Sequence, residues 1–143
     1  MAKNKGNQVI SGTNGMIWVN GEEWAELKSF EAKISVQYEE VTFAGDYALY
    51  QKYMGWSGEG TITLNKTRSR GAKILAEAIK TGVLPEIKII GKLADPQSLG
   101  AERVSIEDVV FSEFNLLKFE NRAVAEEELP FTFSNYELIE QIN

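Results

Sequence analysis

Two stretches of strict alternation, separated by one that breaks it, limit what this chain can become. The first places Phe30, Ala32, Ile34, Val36 and Tyr38 on one side and Glu31, Lys33, Ser35, Gln37 and Glu39 on the other. The second places Trp56, Gly58, Gly60, Ile62 and Leu64 opposite Ser57, Glu59, Thr61, Thr63 and Asn65. Side chains of a strand point alternately to its two faces, so each stretch predicts a strand with one dry and one wet side. Between them lie about sixteen residues without alternation, longer than most connections in a compact domain. Phe43, Tyr47, Leu49, Tyr50, Tyr53 and Met54 make that connection too apolar for a solvated loop. Either these side chains return to the domain's own core or they cover another subunit. The residues alone leave the two readings even.

The rest of the chain adds strands and one helix. Met16 to Val19 is a short apolar strand, and Asn20-Gly21 after it tolerates the two positive φ angles of a type I′ hairpin turn. The return strand begins at Glu22 and carries Trp24. Ile74, Leu75, Ala78 and Ile79 recur at helical spacing, with Ser69 as N-cap and Gly82 and Pro85 as the stop. Strand pattern resumes over Glu86 to Leu93, and Ala94-Asp95-Pro96 turns the chain. A longer β region is predicted from Glu102 to Phe119, its alternation slipping near Val109-Val110-Phe111 as at a bulge or bend. A last strand carries Ala125, Glu127, Leu129, Phe131 and Phe133, with Pro130 where no ladder donor is needed. The tail from Tyr136 to Asn143 is read as an extra helical turn or a docking segment. Met1 to Asn14 is read as a flexible arm, and residues 15–143 as a single domain. The fold class is mainly β with one helix: an antiparallel β-sandwich or partly closed β-barrel with a flanking α-helix.

Composition removes most chemistry. The 143 residues include no cysteine and no histidine. Thiolate nucleophiles, disulfides, sulfur-ligated metals, histidine bases and histidine-bound zinc are therefore excluded, and no cofactor or metal is expected. A net charge of −6 argues against a protein that binds nucleic acid by neutralising phosphate. No apolar run approaches the roughly 20 residues of a membrane span. The N-terminal MAKNKGNQ lacks the apolar region of a secretory signal, so folding in a cytoplasm is expected.

The remaining motifs have plain readings. Gly55, Gly58 and Gly60 lack the order and the strand-to-helix setting of a phosphate loop. Glycines inside a strand mark a bulge or a close approach. Glu22-Glu23, Glu39-Glu40 and Glu126 to Glu128 read as solvated surface, because neighbouring strand residues face opposite ways. Trp18, Trp24 and Trp56 could serve a carbohydrate-binding β-sandwich as stacking platforms. A carboxylate-based glycosidase would need two acids facing each other across a cleft.

The segments SGTNGMIWVNGE, AGDYALYQKYMGWSGEGTITLNKTRS, LADPQSLGAERV and EEELPFTFSNYE together resemble the tail-tube proteins of contractile-tailed phages. Similarity is greatest to the PBSX-like prophage type, also found in R-type, phage-tail-like bacteriocins. The resemblance implies a structural protein, not an enzyme, and it implies hexameric rings whose sheets join around a lumen and stack into a rigid tube. It places the loop Glu40 to Gly55 between subunits, with Phe43, Tyr47, Tyr50, Tyr53 and Met54 as anchors. It places Glu31, Glu39 and Glu59 on the lumen wall, where an acidic or neutral lining lets DNA pass without being bound. The partners implied are other copies of the chain, the sheath, baseplate and tail-terminator proteins, and a tape-measure protein in the lumen during assembly. The particle would form in the bacterial cytoplasm and be released by lysis. The arm Met1 to Asn14 and the tail after Tyr136 would order between stacked rings. A tube of the type VI secretion kind is the related alternative.

Overall fold

The computed structural model describes residues 15–94 and 100–141. The arm 1–14 and most of the turn at Ala94-Asp95-Pro96 lie outside the described residues. Among those described are nine strands and one helix in two antiparallel sheets. The first sheet has the order β2-β1-β5-β6-β9, built from β1 (Gly15–Val19), β2 (Glu22–Glu23), β5 (Ile89–Ala94), β6 (Ala101–Glu107) and β9 (Asn135–Glu140). The second has the order β3-β4-β8-β7, built from β3 (Leu27–Val41), β4 (Tyr50–Asn65), β8 (Glu126–Phe133) and β7 (Val110–Phe111). The sheets pack as an open sandwich and do not close into a barrel.

The core follows from alternation on both sides. Ile17, Val19, Ile89 and Ile106 face inward from the first sheet, and Ile62, Leu64, Leu129, Phe131 and Phe133 from the second. Phe131 and Phe133 explain two of the strand glycines. A Cβ at Gly58 would lie 2.4 Å from the Phe133 ring, and one at Gly60 would lie 2.5 Å from Phe131 and 2.2 Å from the Glu31 carbonyl. The glycines are where two rings of β8 lie down on β4.

Several turns form as their residues dictate. Asn20 and Gly21 take φ of 50° and 84°, the positive angles of the expected hairpin turn. Asn20 also accepts a hydrogen bond from the Lys88 N–H (2.9 Å) and donates one to the Glu86 carbonyl (3.2 Å), fastening that turn to the approach of β5. Pro130 lies within β8; its carbonyl accepts from Ser112 N–H at 2.9 Å. A strand residue's nitrogen and carbonyl point the same way, so the missing donor faces the outer side, which only the two-residue β7 covers.

Four expectations are corrected. The long β region ends at Phe111: Asp108, at φ 54°, breaks it, and the chain leaves β6 in one sheet to enter β7 in the other. Of the two readings, bulge or bend, the structure has a bend, a sheet-to-sheet corner, and residues 112–125 contain no strand. The tail is a strand, β9, hydrogen-bonded along β6. Its edge position beside β6 gives it order inside a single subunit.

The third correction concerns the helix α1 (Arg70–Thr81). Its C-terminal stop is as expected: Gly82 at φ 78° returns its N–H to Ala78 O. Ser69, however, makes no side-chain cap. Glu127 from β8 supplies it, accepting the Gly71 N–H at 2.8 Å and the Lys66 ammonium at 2.8 Å. Glu127 is buried, not solvated. A carboxylate at a helix N-terminus meets unpaired N–H groups and the positive end of the helix dipole, which offsets its burial. Ile79, read as core-facing, is exposed, while Leu75 is buried.

Candidate assembly surface

The fourth correction concerns the aromatic connection. Half of it is strand: β3 runs on to Val41 and β4 begins at Tyr50, leaving residues 42–49 as the turn. Alternation failed as a guide because of a bulge. Gln37 pairs with Gly55 and Tyr38 pairs with Tyr53, so Met54 is an extra residue between them. Gly55 takes φ 137°, a region that L side chains avoid. One inserted residue inverts the face of every residue before it.

The result is a ribbon that leaves the body. Strand β4 pairs with β8 only from Gly58 to Asn65. From Ser57 back to Tyr50 it pairs with β3 alone. A two-stranded ribbon is marginal in water without a surface to pack on. Its dry face continues that of the core, through Ile34, Val36, Tyr38 and Tyr53, yet all four are exposed. The expected anchors divide between two elements: Phe43 and Tyr47 lie in the turn, Tyr50 and Tyr53 on β4, and Met54 at the bulge. Tyr47 is 104% exposed and the other four between 45% and 60%. None of the five returns to the core of its own chain.

Exposure here does not mean disorder. Asp46 organises the turn, one carboxylate oxygen accepting the Ala48 N–H at 2.9 Å and the other the Tyr50 hydroxyl at 2.7 Å. These bonds, the backbone one first, hold the Asp46 carboxyl below its usual range. The same contact raises the Tyr50 phenol above its own. Phe43 packs edge-on against Tyr50 with centroids 5.5 Å apart. Sequence inspection registered the aromatics but missed Asp46; an aspartate two residues before a backbone donor is a recognised turn former, and that signal was present.

The opposite, wet face of the same sheet holds the three acids expected on a lumen wall. Glu31, Lys33 and Glu39 alternate on one face of β3, with Glu59 opposite Lys33 and Lys52 opposite Glu39. The Lys33 ammonium is 3.6 Å from Glu59 and 3.9 Å from Glu31. Such exposed pairs contribute little to stability. They do show that the face mixes signs, which the glutamates alone concealed.

A second charged cluster lies at the root of the helix. Arg70 is buried, pairs with Glu22 and Glu26, and stacks over Trp24 at 5.5 Å. Its guanidinium bond holds the Glu26 carboxyl below the usual range against the opposing effect of burial. Trp24 is buried, and Trp56 lies between Phe133 and Tyr136, at 6.3 and 5.4 Å. The three tryptophans therefore offer no row of open stacking platforms. Among the described residues no acidic, His or Cys cluster is placed to hold a metal, and no helix is long and apolar enough to cross a membrane.

Comparison with known proteins agrees with this geometry. The chain is 35% identical over 141 residues to YqbM of Bacillus subtilis (strain 168), covering 96% of this chain and 95% of that one. It is 33% identical over 141 residues to the phage-like element PBSX protein XkdM of the same organism, covering 97% and 96%. The fold is similar to a chain in the cap that terminates the anti-feeding prophage tube, with TM-score 0.74 at 8% identity over 96% of this chain and 93% of that one. It is also similar to a chain in the extended sheath-tube complex of an extracellular contractile injection system, with TM-score 0.70 at 12% identity over 95% and 98%. The family described as phage tail tube protein matches residues 2–140. The chain belongs to that family of phage tail tube proteins.

Proposed function

We propose that this protein is the tube subunit of a contractile phage tail or phage-tail-like particle, and that its copies form hexameric rings stacked into a rigid tube. The observation that carries the reading is the β3–β4 ribbon. It presents Phe43, Tyr47, Tyr50, Tyr53 and Met54 to solvent, in and beside a turn already ordered by Asp46. Aromatic side chains held in place before binding lose little entropy when they dock. Strand β3 adds a second support: among the described residues no strand pairs with its outer edge along Leu27–Val41. An open edge is a template for another strand. Pairing it with the opposite edge of the same sheet in a neighbour is a head-to-tail contact, which closes a ring or propagates.

Continuing the sheet in this way would align the wet faces of successive copies. Glu31, Glu39 and Glu59, interspersed with Lys33 and Lys52, would then line a lumen of mixed charge. Such a wall neither repels DNA strongly nor holds it, as transit requires. In a phage the tube would conduct DNA, after a tape-measure protein had occupied the lumen; in a bacteriocin it would conduct ions. Sheath, baseplate and terminator proteins would be its further partners.

Electron microscopy and sedimentation of the purified protein, alone and with a nucleating baseplate, test the reading. Rings or tubes that disappear in Tyr47→Ser with Tyr53→Ser are the expected result. A wild-type chain that stays monomeric under both conditions refutes it.

A further inference from the structure

The two sheets do not end together, and the step between them is a ledge. Phe30, paired with Ile62, has its ring 3.2 Å from where a Cβ on Gly91 of β5 would lie. Trp56, nearer the ribbon's tip on the same face of β4, meets Tyr136 of β9 with centroids 5.4 Å apart. Passing from β5 through β6 to β9 therefore moves toward the tip, and the outer edge of β9 faces that way. The chain turns the same corner in one step: β8 ends at Phe133, level with Gly58, and β9 starts at Asn135. Beyond β9 the ribbon goes on alone, with Val36, Tyr38 and Tyr53 exposed on its underside.

What would complete the ledge is one more strand. All six residues of β9 are exposed, Tyr136 and Leu138 among them. Among the described residues no strand pairs with its outer edge. Sheet edges are ordinarily blunted by shortness or charge. The other edge of this sheet obeys that rule, since β2 is only Glu22–Glu23; β9 is longer and carries apolar side chains. An extended segment laid along β9 would pair its free backbone groups and lie about 4.8 Å further out, under Val36, Tyr38 and Tyr53.

Charge and reach select the segment. Glu137 on β9 and Glu40 on the ribbon's underside have no ion pair among the described residues, whereas Glu140 is met by Arg103. No Asp or Glu precedes Glu22 in the chain, while residues 1–14 hold Lys3 and Lys5 together with Val9 and Ile10. In a chain of net charge −6 that stretch suits an acidic edge. It enters β1 at Gly15, in the same sheet as β9. Extended, residues 1–14 span up to about 46–50 Å, enough to reach an adjacent molecule and still run the length of β9.

We propose that residues 1–14 of one copy add as a strand to the β9 edge of a second copy, beneath its ribbon. Lys3 and Lys5 lie toward Glu40 and Glu137, and the Val9-Ile10 pair presents one side chain to the ribbon's underside. Main-chain pairing supplies the affinity, as in other cases of strand addition. The inference rests on the self-assembly reading above and adds to it a donor segment and its acceptor.

The absence of cysteine makes the test direct. Ile10→Cys protein is mixed with Leu138→Cys protein under assembly conditions and oxidised, with Val83→Cys at the helix end as the control acceptor. Dimers at least tenfold above the control are expected. Lys3→Glu with Lys5→Glu in the donor should lower that yield about tenfold, and Glu137→Lys in the acceptor should restore it. Amide exchange of the unmutated protein tests the same point, because residues 4–11 and 136–139 should slow together on assembly. Slowing at β9 alone means that a different strand fills the ledge, and overturns the inference. So do equal cross-linking to Val83→Cys, a link formed only within single chains carrying both cysteines, or neither effect in protein that electron microscopy shows to have assembled. Each of these leaves self-assembly standing, whereas a wild-type chain that never assembles removes both. Circular dichroism of each variant, superimposable on wild type, excludes misfolding as the source of a lost signal.

Discussion

The two ends of the β3–β4 pair are made of the same strands and differ in everything that holds them. At the base, Phe30, Ile62 and Leu64 pack beneath β8 and the first sheet, and Ile62 and Leu64 are wholly buried. At the tip, the same apolar alternation continues through Ile34, Val36 and Tyr38, which are exposed. Order at the base comes from burial. Order at the tip comes from the β3–β4 ladder, one aspartate and one aromatic contact. A chain that folds its tip this way has spent its apolar residues on a surface, which suits a subunit whose stability as a monomer and affinity for copies are set by separate residues.

Substitutions that separate the two ends test this contrast. The largest loss is expected from Phe131→Ala, which removes the ring lying on Gly60 and Phe30. About 3–5 kcal/mol of stability should go, read by urea denaturation, and a loss under 1 kcal/mol would mean that the base is not where folding energy resides. Glu127→Ala should follow at about 1–3 kcal/mol, because it leaves the buried Gly71 N–H at the helix start without an acceptor and takes away the partner of the more exposed Lys66 ammonium. Glu127→Gln, which keeps an acceptor but not the charge, should cost nearly as much; a glutamine variant as stable as wild type would show that charge is not the reason.

At the tip the prediction reverses. Tyr47→Ser and Asp46→Ala should leave the urea midpoint unchanged and weaken assembly about tenfold or more, a typical cost for an interface anchor, measured by sedimentation. A large drop in midpoint for either would merge the two regions. The smallest effect concerns acid. Arg70 holds the Glu26 carboxyl below its ordinary value of 4.5. The pair's contribution is therefore fully present above pH 4.5 and lost as pH falls through the depressed value. Stability of wild type should drop more steeply below pH 4.5 than that of Glu26→Gln, and parallel profiles would assign the acid loss elsewhere.

Much of the architecture was legible in local pattern. Asn20-Gly21 announced its turn, Gly82 its helix stop, and the alternations at Phe30 and Trp56 their paired strands, because each depends on the conformational preferences of a few adjacent residues. The expected sandwich follows from them. The bulge at Met54, the corner at Asp108 and the strand β9 were not legible. Each is a choice between local conformations of similar energy, decided by which distant strand provides the hydrogen bonds. The apolar anchors were identifiable by composition, whereas their arrangement was not.

Glu127 shows the same division at a single residue. In sequence it is one of three consecutive acids, read together as solvated surface. Strand periodicity assigned Glu127 to the inner face, but only the helix arriving from residues 70–81 makes a buried carboxylate tolerable there. The sequence by itself determined which residues are apolar, which turns are cheap, and which chemistry is absent from a chain without histidine or cysteine. Tertiary structure decided which apolar residues stay outside and which charge goes in, because burial and charge pairing depend on neighbours that are close in space and far along the chain.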